Sequence, residues 1–181
     1  MKKLLSIAIL AAFSSVMALA ADDVVSAVHG VVTKVDAASK TIVVKTKDGT
    51  LHTIHFVDKT TVKGGEAAET GAKDTFHGVK EGSEVVAHYT VAGTEKTAVE
   101  VDKVGKDGYK AVEGTVTKVG EGGKTITVKA ADGTEHTFEL AGHGTKVAAV
   151  DTAKGTEKGA KVTVYYTESA GKKIAHFFEK L

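Results

Sequence analysis

The sequence predicts an all-β chain folded as two small barrels in tandem, and three observations carry that expectation. One stretch occurs twice: Gly30-Val-Val-Thr-Lys-Val35, Lys40-Thr-Ile-Val-Val-Lys45 and Asp48-Gly-Thr-Leu-His-Thr53 return 84 positions later as Gly114-Thr-Val-Thr-Lys-Val119, Lys124-Thr-Ile-Thr-Val-Lys129 and Asp132-Gly-Thr-Glu-His-Thr137. Over 23–56 against 107–140, 18 of 34 positions are identical without a gap, which marks an internal duplication. Buried-type residues recur at every second position in both copies, at Val28, Gly30 and Val32 and at Val112, Gly114 and Val116, the period of a strand with one face in a core. Asp-Gly at 48–49 and 132–133 is the strongest short hairpin signal that a sequence carries.

The elements follow in order. Met1-Lys-Lys3, the apolar run Leu4 to Ala12 and Ala18-Leu-Ala20 have the plan of a secretory signal peptide over 1–20. That run is shorter than the roughly 20 residues of a spanning helix, and no later stretch of the mature chain could span a membrane. The expected location is therefore periplasmic or extracellular. The first barrel repeat is placed at 23–104. Gly30 and Gly114 inside the opening strands mark a sharp bend or a close backbone approach. The second strand, Thr41 to Thr46, turns Ile42 and Val44 inward. A three-residue loop with Gly in the left-handed position is expected to pair Val44 with Ile54 and Ile42 with Phe56, and Val128 with Phe138 and Ile126 with Leu140.

Between the third and fourth strands, Asp58 to Glu81 holds a short edge strand at Thr61-Val-Lys63 and one or two helical turns at most. Its counterpart runs from Ala149 to Lys158. A fourth strand carries Val85, Ala87 and Tyr89 inward, matched by Val162, Val164 and Tyr166. Hairpins at Ala92-Gly93 and Ala170-Gly171 lead into the fifth strands, 95–104 and 172–181. The linker is 105–108, short and flexible, and the second barrel repeat is 109–181. Strand, hairpin, strand, short helical or irregular crossover and hairpin give two tandem five-stranded OB-like barrels; an SH3-like barrel uses nearly the same signals.

Composition excludes more than it assigns. The formal net charge is +1 for the whole chain, and without Lys2 and Lys3 there remain 22 Lys against 23 acids, a net charge of −1. No attraction to nucleic acid or to a membrane surface follows. The chain has no Arg, Asn, Gln, Trp, Cys or Pro, so the usual side chains for reading bases and for bidentate phosphate capture are missing. Without Cys there are no disulfides, and each small barrel must rest on packing.

The pattern G-x-V-x-x-V, K-T-I-x-V-K, D-G-T-x-H-T, then a strand beginning G-x-x-V and ending in Tyr, resembles the small OB-like β-barrel repeats of unknown function in exported bacterial proteins. The resemblance covers nearly the whole mature chain and implies a binding or envelope module with no assigned activity.

Histidine is the residue type that invites a site. Of the eight, only His52 and His136 are equivalent between the copies. Both fall on the inward parity at the barrel end, across from Thr46 and Ala130, as a ligand group or as a cap on the core. Tyr165 and Phe177 are candidates for an exposed aromatic patch that stacks on an oligosaccharide or nucleic acid, although packing of that patch against the first barrel is preferred. A metal site from His55 or His88 with Glu84 is the alternative, weakened because the second copy has Glu139 and Tyr165 at the two histidine positions and because the mature chain has no soft ligand. His52 and His55 lie three apart on a strand and so point to opposite faces. No nucleophile, paired acid and base or phosphate loop is present, so no enzyme and no cofactor are expected. The expected function is an exported, non-enzymatic binding or structural module of the cell envelope with an unidentified partner or ligand.

Overall fold

A computed structural model describes residues 25–64, 76–106, 108–140 and 157–181. The signal segment, most of the first crossover and nearly all of the second lie outside the described residues. Among the described residues eleven strands form two sheets. The first holds β1 (Val25–Asp36), β2 (Thr41–Lys45), β3 (Leu51–His55), β4 (Thr61–Lys63), β5 (Glu84–Ala92) and β6 (Glu95–Lys103), in the order β3-β2-β1-β5-β6-β4. The second holds β7 (Lys110–Val119), β8 (Thr125–Ala130), β9 (Glu135–Leu140), β10 (Lys161–Ser169) and β11 (Lys172–Lys180), closed as β10-β11-β9-β8-β7. Parallel pairing of His55 with Thr97 joins β3 to β6, and of Ile174 with Glu139 joins β11 to β9. Counting the five strands that the copies share, each ring runs first, second, third, fifth, fourth and back to the first. This is the Greek-key closure of an OB-like barrel. The extra strand of the first copy is β4, parallel to β6 at its edge.

One strand serves two neighbours in each copy, and glycine makes that possible. β1 pairs with β5 over Val25–Val31 and with β2 over Val31–Asp36, with a bulge between Val32 and Lys34. Where it changes partners, the backbones close in: a Cβ on Gly30 would lie 2.3 Å from the Lys45 carbonyl oxygen, and one on Gly114 would lie 2.4 Å from that of Lys129. The glycines therefore mark a close approach, one of the two expected roles.

The hairpin loop has the expected kind but a shifted register. Gly49 and Gly133 take φ of 87° and 86°, and Thr46 closes on Thr50 across the three-residue loop. The pairs are Ile42 with Ile54 and Val44 with His52, and Ile126 with Phe138 and Val128 with His136. Each inward residue thus meets a partner two positions earlier than the sequence reading placed it. A two-residue slip preserves parity, so every side chain keeps its face. His52 and His136 therefore lie across from Val44 and Val128, not from Thr46 and Ala130.

Each barrel has its own core. The first packs Val28, Val32, Ile42, Val44, Ile54, Phe56, Val85, Ala87 and Val101 around Phe76, and the second packs Val116, Ile126, Val128, Val162 and Val164 around Phe138. A third cluster, Val86, Tyr109, Tyr165 and Phe177 with Ala27 and Val104 against it, joins the outer face of β1 and β5 to that of β10 and β11. Two backbone hydrogen bonds span the joint between the copies. Tyr109 N–H donates to Lys103 O at 2.7 Å and Gly105 N–H to Tyr109 O at 2.9 Å. No helix among the described residues is long and apolar enough to cross a membrane.

Candidate functional site

The same three side chains meet at the end of each barrel. On β3, His52 points inward and is half-buried. Lys96, just past the β5–β6 turn, brings its Nζ within 2.8 Å of His52 Nδ1 and 5.4 Å from the Tyr89 ring centre. In the second barrel Lys173 Nζ lies 2.7 Å from His136 Nδ1 and 5.8 Å from the Tyr166 ring centre. An ammonium has donors only, so it donates, and the imidazole Nδ1 must accept. The ring is then the neutral tautomer with its proton on Nε2. Burial, and next the charge of Lys96, hold His52 below its ordinary value, which keeps it in that form. The lysine is held by a ring nitrogen and a π face.

The loop beside the first mouth is locked by its own side chains. Asp48 accepts from the Thr46 hydroxyl, from Thr50 N–H at 3.1 Å and from Thr50 Oγ1 at 3.0 Å; its carboxyl sits below the usual range, with the Thr46 hydrogen bond as the largest cause. Asp132 accepts from Thr134 N–H at 2.8 Å. Between the Thr46–Thr50 loop and Glu179–Leu181 of the second barrel lies an open cleft of about 560 Å³, with His52 in its wall. A second, of about 650 Å³, lies along Glu113–Thr115 and Lys129–Ala131.

The joint between barrels carries a buried polar group that sequence reasoning did not find. Asp102 on β6 is fully buried, and His88 on β5 is 1% exposed with its Nε2 3.7 Å from Asp102 Oδ2. The Tyr109 hydroxyl and Glu100 flank Asp102, and Lys63 on β4 holds Glu100 at 2.9 Å. Burial, and then the Glu100 charge, push the Asp102 carboxyl up to about 8. Both causes favour the protonated form. Burial also raises Tyr109 and lowers His176, whose ring stacks on Tyr109 with centres 4.7 Å apart. At the other side of the joint, His29 Nε2 contacts Glu84 at 2.9 Å, and its Nδ1 lies 3.2 Å from Glu179 of the second barrel.

The sequence-derived candidates separate accordingly. His52 and His136 stand at equivalent mouths; Lys96, Lys173, Tyr89 and Tyr166 complete them. Tyr165 and Phe177 are 2% and 7% exposed, and the Tyr165 ring packs against His29 with centres 4.6 Å apart. They offer no exposed patch, because the first barrel covers them, and the preferred packing is the one found. Glu84 is taken by His29 and His88 by the joint. Among the described residues no three such side chains are grouped to hold a metal ion, so His55, His88 and Glu84 are not assembled into one.

No protein-family model matches the chain, and no curated protein matches it. Two solved structures that resemble it are a silver(I) form of CusF and a copper(II) form of a CusF variant from Escherichia coli. Each is 16% identical; the first covers 44% of this chain and 96% of its own with a TM-score of 0.32, the second 46% and 95% with a TM-score of 0.34.

Proposed function

We propose that the chain is an exported, non-enzymatic binding module of the cell envelope whose binding elements are the two barrel mouths. The observation that carries this reading is the repetition of one polar group. Both copies keep His, Lys and Tyr in the same contacts, at 2.8 and 2.7 Å between lysine and histidine. The other described histidines differ between copies, and His29, His88 and His176 serve the joint between barrels. A core needs no ammonium at its end, yet both copies place a half-buried lysine there. A metal at His52 would have to displace Lys96 from Nδ1, and a stacked polymer would need Tyr165 or Phe177 in the open, so both are weaker readings.

Native mass spectrometry of the chain recovered from the compartment to which it is exported, compared with its denatured mass, tests the proposal. Extra mass that leaves on denaturation, and that is lost in the doubly substituted His52→Ala, His136→Ala chain, is the expected result. A bare mass would leave a structural module instead, and bound mass indifferent to both substitutions would put the binding site away from the mouths.

A further inference from the structure

We infer that the joint between the barrels is a proton-dependent latch: Asp102 must hold its proton for the barrels to stay docked, and loss of that proton parts them with each barrel still folded. The latch is independent of what the barrel mouths bind.

The first argument is where the carboxyl lies. Asp102 stands on β6 across from Val86 on β5, on the outer face that meets the second barrel, and both residues are fully buried. A carboxylate in such a place must be met by a cation or by several donors, and its neighbours supply neither. Glu100, two residues along the same face, is a second acid; burial pushes it up, but the hydrogen bond and charge of Lys63 hold it below its ordinary value, so it stays ionised. Lys63, across from Asp102 on β4, is paired with that acid, its Nζ 2.9 Å from Glu100. His88 Nε2 lies 3.7 Å from Asp102 Oδ2, beyond hydrogen-bond range. The Tyr109 hydroxyl is a single neutral donor beside it. Across the joint, burial and then the Lys63 charge hold His176, stacked on Tyr109, below its ordinary value, so it brings no cation above pH 6.5. The place therefore suits the protonated acid, in keeping with the upward push of burial and Glu100 to about 8.

The second argument is that the joint can open without unfolding. Each barrel has its own core, whereas the joint rests on Val86, Tyr109, Tyr165 and Phe177 with Ala27 and Val104 against them, and on the contact of His29 with Glu179. Parting the barrels returns Asp102 to water, where an aspartate titrates near 3.8. Between that value and about 8 the docked form keeps a proton that the parted form releases, so each pH unit in the window favours parting several-fold. The contribution of this proton to docking is full below pH 3.8 and gone once the pH has passed 8. The cleft of about 560 Å³ is walled by Thr46, Asp48 and His52 of the first barrel and by Glu179 and Lys180 of the second, so release of the latch reshapes it.

The chain has no Cys, so spin labels at Glu95→Cys and Glu121→Cys, both exposed and one on each barrel, measure the distance between barrels by double electron–electron resonance. Samples are taken from pH 5 to pH 9, with far-UV circular dichroism recorded on each. One distance at pH 5, and a second, longer population that grows several-fold per pH unit towards pH 9 with unchanged circular dichroism, is the expected result. In Asp102→Asn the distance should stay single throughout. Glu100→Gln, which removes the neighbouring charge, should narrow the pH range over which the longer population grows. His29→Gln, which cuts the contact with Glu179, should keep the full pH dependence. A single distance at every pH, growth that persists in Asp102→Asn or is unaltered in Glu100→Gln, loss of the pH dependence in His29→Gln, or a longer distance that appears only as the circular dichroism is lost would overturn the inference.

Discussion

Asp102→Asn is expected to gain stability over the natural chain as the pH rises from roughly 4 to 8, by about 1 kcal/mol for each pH unit. An Asp in an unfolded chain titrates near 3.8, whereas Asp102 in the folded chain is pushed up to about 8 by burial and by Glu100. Between those values the folded chain keeps a proton that the unfolded chain has released, so raising the pH favours unfolding. The stability that goes with this proton is full below pH 4 and gone once the pH has passed 8. Asn copies the shape of the protonated acid without a charge, beside Glu100 and the Tyr109 hydroxyl. His52 and His176 are both held below their ordinary value by burial. They act in the opposite sense as pH falls through 6.5, and they act equally in both chains. The difference between chemical unfolding curves of the two chains at several pH values therefore reports Asp102 together with Glu100 and His88, which face it. Parallel curves across that range would show that the carboxyl is not held neutral.

Gly30→Ala and Gly114→Ala are each expected to cost about 2–3 kcal/mol, the penalty for forcing extra volume into a packed site. The new methyl would meet the carbonyl oxygen of Lys45 at 2.3 Å or of Lys129 at 2.4 Å, and a backbone oxygen cannot swing aside as the end of a side chain can. β1 would have to separate from β2 where it also turns towards β5, so the strain falls on two pairings at once. Urea unfolding followed by circular dichroism measures this. A cost below about 0.5 kcal/mol, the scale of a surface change, would show that the two strands can part without loss.

The strands were legible because alternation and duplication reinforced one another. Val28, Gly30 and Val32 alone are a short pattern, but the same pattern at Val112, Gly114 and Val116 is not chance. Register was less legible, since a period of two cannot distinguish a pairing from one shifted by two residues. The closing pair is fixed by Thr46 and Asp48 bonding within the loop, a side-chain detail. Half of the site was readable. His52 and His136 stood out as the one repeated histidine, whereas Lys96 and Lys173 lie 44 and 37 residues away. The available signal was that the same lysine follows the same hairpin in both copies. Asp102 carries no signal in the sequence, because its burial depends on the joint with the second barrel, which no local pattern reports.

The joint also bears on how a duplicated chain avoids associating with its own copies. Cross-strand partners His88 and Glu100 in the first barrel stand where Tyr165 and Phe177 stand in the second, and Asp102 is matched by Glu179. Two faces that began alike have become an acidic, polar half and an aromatic half. A first barrel meeting another first barrel through this face would bring two copies of the ionised Glu100 together, a juxtaposition that like-charge repulsion opposes. The matching half is tethered within the same polypeptide at high effective concentration. Divergence of these few positions thus turns a self-similar surface, which could have propagated from chain to chain, into one satisfied within a single molecule.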